Sequence, residues 1–185
     1  MKKIVLLILV LGVVSCNREK NKNHVSEKIT DNLELLQIYQ KDQSERQSEN
    51  IDWEILLVQD SLRQIRVKQL LDSNKVRTSI DYYNAAMIFQ HGLDTFASGM
   101  AVKLMRKSIE LDSTADKWLL AAAIDRDLMR RNQPQIYGTQ YLKMGDEPWE
   151  LYKLDSTKIT DSVRKEYNVE TLAQQREKVK EMNQK

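Results

Sequence analysis

Cysteine occurs once in this chain, at Cys16. A single Cys leaves no disulfide partner within the molecule, so stability has to come from packing. Glycine and proline are scarce, five and two in 185 residues, which leaves long stretches without a helix breaker. Charge of one sign is missing as well. The 29 basic and 27 acidic residues leave a net charge of +2, and no long block of either sign occurs. Nucleic-acid binding needs a concentrated basic stripe, and none is present. Histidine is limited to His24 and His91. One His and scattered carboxylates are too few ligands for a metal site, so no metal is expected. No Ser, Cys or Thr lies in an elbow or triad context, and nothing in the sequence asks for a cofactor.

What is present begins at the N-terminus. "MKKIVLLILVLGVVSC" has two lysines, an apolar run from Ile4 to Val14, then Ser15 and Cys16. A positive start, a short apolar core and a small residue describe a secretory signal peptide. The run is too short to remain as a membrane-spanning helix. "VVSC" resembles the bacterial lipobox, in which the Cys becomes the first mature residue and carries acyl chains on its sulfur and amine. More than one chain gives stable anchoring. The expected organisation is a signal peptide over 1–15, a lipidated Cys16 and flexible tether over 16–30, and one helical domain over 31–185. The expected place is the cell envelope. Asn17 is not the acidic residue often linked to inner-membrane retention, which favours the outer membrane.

From Asp31 the apolar spacing is helical. "DNLELLQIYQKDQSERQ" places Leu33, Leu35, Leu36, Ile38 and Tyr39 at helix spacings, with Asp31 and Glu34 as a cap. "DWEILLVQDSLRQIRVKQLLD" carries a stripe of Ile55, Val58, Leu62 and Ile65, continued by Leu56, Leu70 and Leu71. A third helix begins at Ser79 and stops at Gly92. A fourth begins at Asp94 and packs Ala97, Ala101, Leu104, Met105 and Ile109. A fifth begins near Ser113, packs Trp118, Leu119, Ala122 and Met129, and ends before Pro134. Turn signals at Gly138 and "MGDEP" then predict a short β-hairpin or ordered loop near 135–154. A short helix from Thr160 and a polar final helix follow. The fold class is mainly α.

"NAAMIFQHG" (84–92) aligns with "LAAAIDRDL" (120–128), superposing Ala85 and Ala86 on Ala121 and Ala122. The segment between them resembles the second helix of a tetratricopeptide-type hairpin, whose repeats stack helix on helix. Such stacking would set Gln90 and His91 beside Asp125 and Arg126. His91 then reads as a helix-end capping group or as a general acid or base, with Asp94 or Asp125 orienting it. Asp125 and Arg126 lie inside an apolar stretch, where charges must be paired if buried. In "QPQIYGTQ", Gly138 permits a tight turn, while Gln135, Thr139 and Gln140 offer hydrogen bonds that would satisfy those charges. If the network leaves a cavity, His91, Arg126 and Tyr137 would face a ligand.

"AAMIFQHGLD" followed by "DRDLMRRNQPQIYGTQ" resembles the bacterial domain of unknown function 6624 family. Members show a Gln-His box with an Asp shortly after, here Gln90, His91 and Asp94. They then show an Asp-Arg pair, here Asp125 and Arg126, and a Gln-x-Tyr-Gly-Thr-Gln box, here Gln135, Tyr137, Gly138, Thr139 and Gln140. "YQKDQSERQ", with Asp42, Gln43 and Arg46, is similar to the family's upstream Asp-Gln-x-x-Arg element. "DSTKITDSVRKEYNVETL" is similar to its downstream segment. Gly92-Leu93 departs from the small-then-polar pair expected after the His. The resemblance covers roughly 33–180 and implies a fold and a set of polar residues, but no activity. Three function classes follow. One is a lipid-anchored binding module for a peptide, glycan or protein. Another is a hydrolase using His91. The last is a structural envelope protein whose polar boxes only hold the fold.

Overall fold

The computed structural model describes residues 29–184. The signal peptide, Cys16, His24 and most of the tether lie outside the described residues. Five long helices come first: α1 (Leu33–Arg46), α2 (Trp53–Asp72), α3 (Ser79–Gln90), α4 (Thr95–Leu111) and α5 (Trp118–Arg130). Two short strands, β1 (Tyr141–Leu142) and β2 (Glu150–Leu151), pair antiparallel with Tyr141 opposite Leu151. Helices α6 (Asp161–Glu166) and α7 (Leu172–Met182) complete the chain. The expected mainly α fold with a small hairpin is therefore present. No helix among the described residues is long and apolar enough to cross a membrane.

The helix starts follow local capping chemistry, with some shifts from the sequence reading. Asn32, not Asp31, caps α1 by accepting the Leu35 N–H. Thr78, not Ser79, caps α3, and Asp81 completes the box by accepting from the Thr78 backbone. Ser79 instead shares a hydrogen bond with Ser108 of α4, so it fastens two helices. Asp94 caps α4 as expected. Helix α5 starts at Trp118, later than Ser113, because Asp112 and Thr114 close a turn of their own. Thr160 and Thr171 cap α6 and α7.

The main core lies among α1, α3, α4 and α5, with the C-terminal half of α2 against it. The alanine pair Ala85–Ala86 and the run Ala121–Ala123 are buried, and so are Ala97 and Ala101 of α4. These small side chains let α3, α4 and α5 approach closely, as the near-repeat implied. Trp118 does not join the core and remains exposed. A second, smaller cluster holds Ala121, Tyr137 and Val169 between α5, the loop and the C-terminal helices.

Helix α2 departs most from its sequence pattern. Its buried residues are Leu56, Asp60, Arg63, Val67 and Leu70. The Ile55, Val58, Leu62 and Ile65 stripe faces outward instead. The face turned to α1 and α3 carries an ion-paired Asp and Arg, which an apolar-periodicity argument assigns to solvent.

Candidate functional site

The polar residues singled out in the sequence fall into two neighbouring networks, joined at the end of α3. The first surrounds Asp125. Its side chain has no solvent exposure. Oδ1 accepts the N–H groups of Ile136 (2.8 Å) and Tyr137 (3.0 Å). Oδ2 accepts the N–H groups of Gly138 and Thr139 and the Thr139 hydroxyl, each at 2.9 Å. Four consecutive backbone dipoles therefore converge on one carboxylate, which compensates its charge without a cation. Gly138 makes the curl possible, with φ of +91°. A Cβ there would also collide with the Gln175 side chain.

Other groups fix the loop from outside. Gln135, fully buried, donates Nε2 to the carbonyls of Gln140 and Tyr152, both at 2.9 Å, and accepts the Gln140 N–H. Buried Arg164 donates Nε to the Tyr137 carbonyl (2.9 Å) and Nη1 to that of Ile159. Gln175 gives Nε2 to the same Tyr137 carbonyl at 2.8 Å. The Tyr137 ring lies 4.9 Å from that of Tyr167 in the second core cluster. Burial, reinforced by Tyr167, pushes its phenol well above the usual range. Tyr137 thus anchors the loop, with its ring packed in the second core cluster. An apolar environment for the ring outweighs its polar tip.

The second network is centred on His91. The stacking does bring Gln90 beside Arg126: Arg126 Nη1 donates to the Gln90 carbonyl at 2.8 Å. The His91 side chain turns the other way, toward α1 and α2. Its Nδ1 lies 3.0 Å from Asp42 Oδ2 and 2.9 Å from Arg46 Nε. Asp42 therefore orients His91. Neither expected residue does so: Asp94 is occupied as the α4 cap and Asp125 by the loop. Nδ1 can donate to Asp42 or accept from Arg46, but not both at once. Arg46 Nη2 also meets Asp60 at 2.6 Å. Arg63 bridges Asp42 and Asp60 and pairs with Glu45. Burial opposes ionisation of Asp42, yet His91, Arg46 and the Gln43 amide together hold its carboxyl below the usual range.

Ligand-type atoms of Asp42, Asp60 and His91 converge within 4.8 Å of one another. The guanidiniums of Arg46 and Arg63 sit on the same carboxylates and already supply the positive charge that a cation would. These residues fit an internal charge network better than a metal centre.

Arg126 lies between the networks. Its Nε donates to Gln140 Oε1 at 3.0 Å and its Nη1 to the Gln90 carbonyl. Both acceptors are neutral, and Nη2 has no partner among the described residues. Burial first, then the positive charges of Arg130 and Arg46, pull its pKa down to about 10. Among the described residues Arg130 also bonds only to carbonyls, those of Gly92 and Leu93. The Gln90 side-chain oxygen is buried without a partner among the described residues.

Sequence reasoning missed Glu45, Asp60 and Arg63 altogether and did not name Asp42 and Arg46 as site residues. Signals were available. Asp42 and Arg46 are spaced i, i+4 and Asp60 and Arg63 i, i+3, so each pair shares a helix face. What the spacing does not reveal is that those faces point inward. No family model, curated protein or solved structure matches this chain.

Proposed function

We propose that this chain is a lipid-anchored envelope protein whose domain binds a ligand carrying an anionic group at Arg126. One observation carries the binding reading. Arg126 is a half-buried cation with neutral acceptors, two cationic neighbours and an unused Nη2. Burying a charge without a counter-ion costs free energy, and folds retain such groups chiefly at functional sites. An incoming carboxylate or phosphate would supply the missing negative charge in the fork geometry a guanidinium prefers. The unpartnered Gln90 oxygen would take an N–H from the same ligand. A peptide with a free C-terminal carboxylate offers both groups. The anchoring part rests on the "MKK…VVSC" leader and Cys16. It supports a membrane attachment through lipid and no nucleic-acid partner.

The test compares the wild type with Arg126→Gln by thermal unfolding, with and without phosphate and short peptides bearing free or amidated C-termini. Binding at about 100 times Kd would stabilise the wild type by about 2.7 kcal/mol and leave the variant unmoved. Without ligand, Arg126→Gln should unfold at or above the wild-type temperature, since it removes an uncompensated charge. Destabilisation by about 2 kcal/mol or more, with no anion effect on the wild type, would refute the reading and make Arg126 a structural tie.

The second reading, proton transfer at His91, has one observation in its favour. Asp42 lies 3.0 Å from Nδ1, and Nε2 makes no hydrogen bond among the described residues. Arg46 competes for Nδ1, which weakens that dyad relative to the binding reading.

A further inference from the structure

The site leaves the exposed stripe on α2 unexplained. Ile55, Val58, Leu62 and Ile65 are 61%, 59%, 54% and 57% exposed. A contiguous apolar face of this kind marks an interaction surface rather than ordinary solvent-exposed helix. The four residues fall at alternating spacings of three and four, which is the a/d seam of a coiled coil over two heptads. Leu56, Asp60, Arg63, Val67 and Leu70 hold the opposite side of the helix in the domain. The seam is therefore presented outward on a supported helix.

We propose that this face pairs antiparallel with the same face of a second copy of the chain. The pattern is self-complementary about position 60, as a two-fold interface requires. Ile55 meets Ile65 of the other copy, and Val58 meets Leu62. The flanking charges obey the same symmetry. Asp52 and Glu54 lie at the N-terminal end of the seam, and Arg66 and Lys68 at the C-terminal end. In the antiparallel arrangement Glu54 faces Lys68 of the copy, and Asp52 faces Arg66. Within one chain Arg66 pairs with Glu34 and Lys68 with Asp72, all of them exposed. Exposed pairs are weak and exchange partners readily. Antiparallel helix dipoles favour the same orientation. A parallel pair would set like charges together at both ends. An anionic membrane surface would repel the acidic end, so a second copy fits the whole face better than lipid does.

The experiment uses the full chain in detergent, with Cys16→Ser so that introduced thiols are the only ones. Val58→Cys and Leu62→Cys chains are prepared separately and mixed under mild oxidation. The antiparallel layer predicts a Val58→Cys with Leu62→Cys disulfide that forms about tenfold or more faster than either self-linked species. In sedimentation equilibrium the Cys16→Ser parent dimerises. Leu62→Glu in that parent remains monomeric with unchanged helix content, and at concentrations too low for the parent to dimerise the two share a urea midpoint, because Leu62 is 54% exposed. Glu54→Lys weakens the dimer about twofold to fivefold, and Glu54→Lys with Lys68→Glu restores it. Three results would each overturn the proposal. One is a monomer at every concentration. Another is a Leu62→Glu chain that dimerises like its parent. The last is a monomer that sediments with anionic vesicles unless Leu62 is replaced by Glu, which would make the face a lipid contact.

Discussion

Replacing Asp125 by Asn changes one atom at the centre of the loop network, so its cost can be worked from the hydrogen bonds. Asp125 accepts two backbone N–H groups on Oδ1, and two more plus the Thr139 hydroxyl on Oδ2. In Asn one of these oxygens becomes an amide that can only donate. Whichever way the amide turns, two backbone N–H groups lose their acceptor and face a donor. The Thr139 hydroxyl can rotate to accept, so it is not counted. An unsatisfied buried donor costs about 1–3 kcal/mol, giving about 2–6 kcal/mol for the pair. That is a large share of the roughly 5–15 kcal/mol that holds a typical domain together. Urea unfolding followed by circular dichroism reads it directly. With a slope of about 2 kcal/mol per M, the midpoint falls by about 1–3 M. Thr139→Val, which removes one of five donors and leaves the carboxylate, should cost only about 0.5–1.5 kcal/mol. If Asp125→Asn unfolds within about 0.5 kcal/mol of the wild type, the loop does not depend on that carboxylate and the reasoning fails.

Gly138→Ala must adopt a φ of +91° and place its Cβ against the Gln175 side chain. A loss of about 2–4 kcal/mol is expected in the same assay, and a neutral result would mean that the turn can relax elsewhere. Acid should weaken the His91 network through Asp42, whose folded pKa is depressed. Its contribution is fully present above about pH 4 and is lost as pH falls through the folded value, because the unfolded chain then binds the proton more readily. Asp42→Asn should lower stability at neutral pH and flatten the acid limb of a stability-against-pH curve. An unchanged limb would show that another carboxylate controls it.

Local chemistry made much of this molecule readable from its sequence. Helices α1 to α4 follow from uninterrupted helix formers after capping residues, and Asp94 and Thr160 mark their helix starts because a side-chain oxygen beside free N–H groups has one good use. The hairpin follows from the turn residues between Tyr and Trp. The small-residue repeat set Gln90 beside Arg126, and the Arg126 guanidinium does reach the Gln90 carbonyl at the end of α3. "QPQIYGTQ" was legible as a loop that folds back on α5 to satisfy charge, because a buried carboxylate leaves the chain few alternatives. The direction of helix faces was not legible. Tyr137 was expected to face a ligand only if the loop network left a cavity, and its ring packs in the second core cluster. His91 was expected to turn toward Asp94 or Asp125, yet Asp42 and Arg46 from a helix far away in sequence claim it. The α2 stripe was legible as one apolar face, yet that face points outward and the ion-paired Asp60 and Arg63 lie inward. Periodicity reports which residues share a face. Whether that face meets the domain, a charge network or another molecule depends on partners that only the assembled helices bring together.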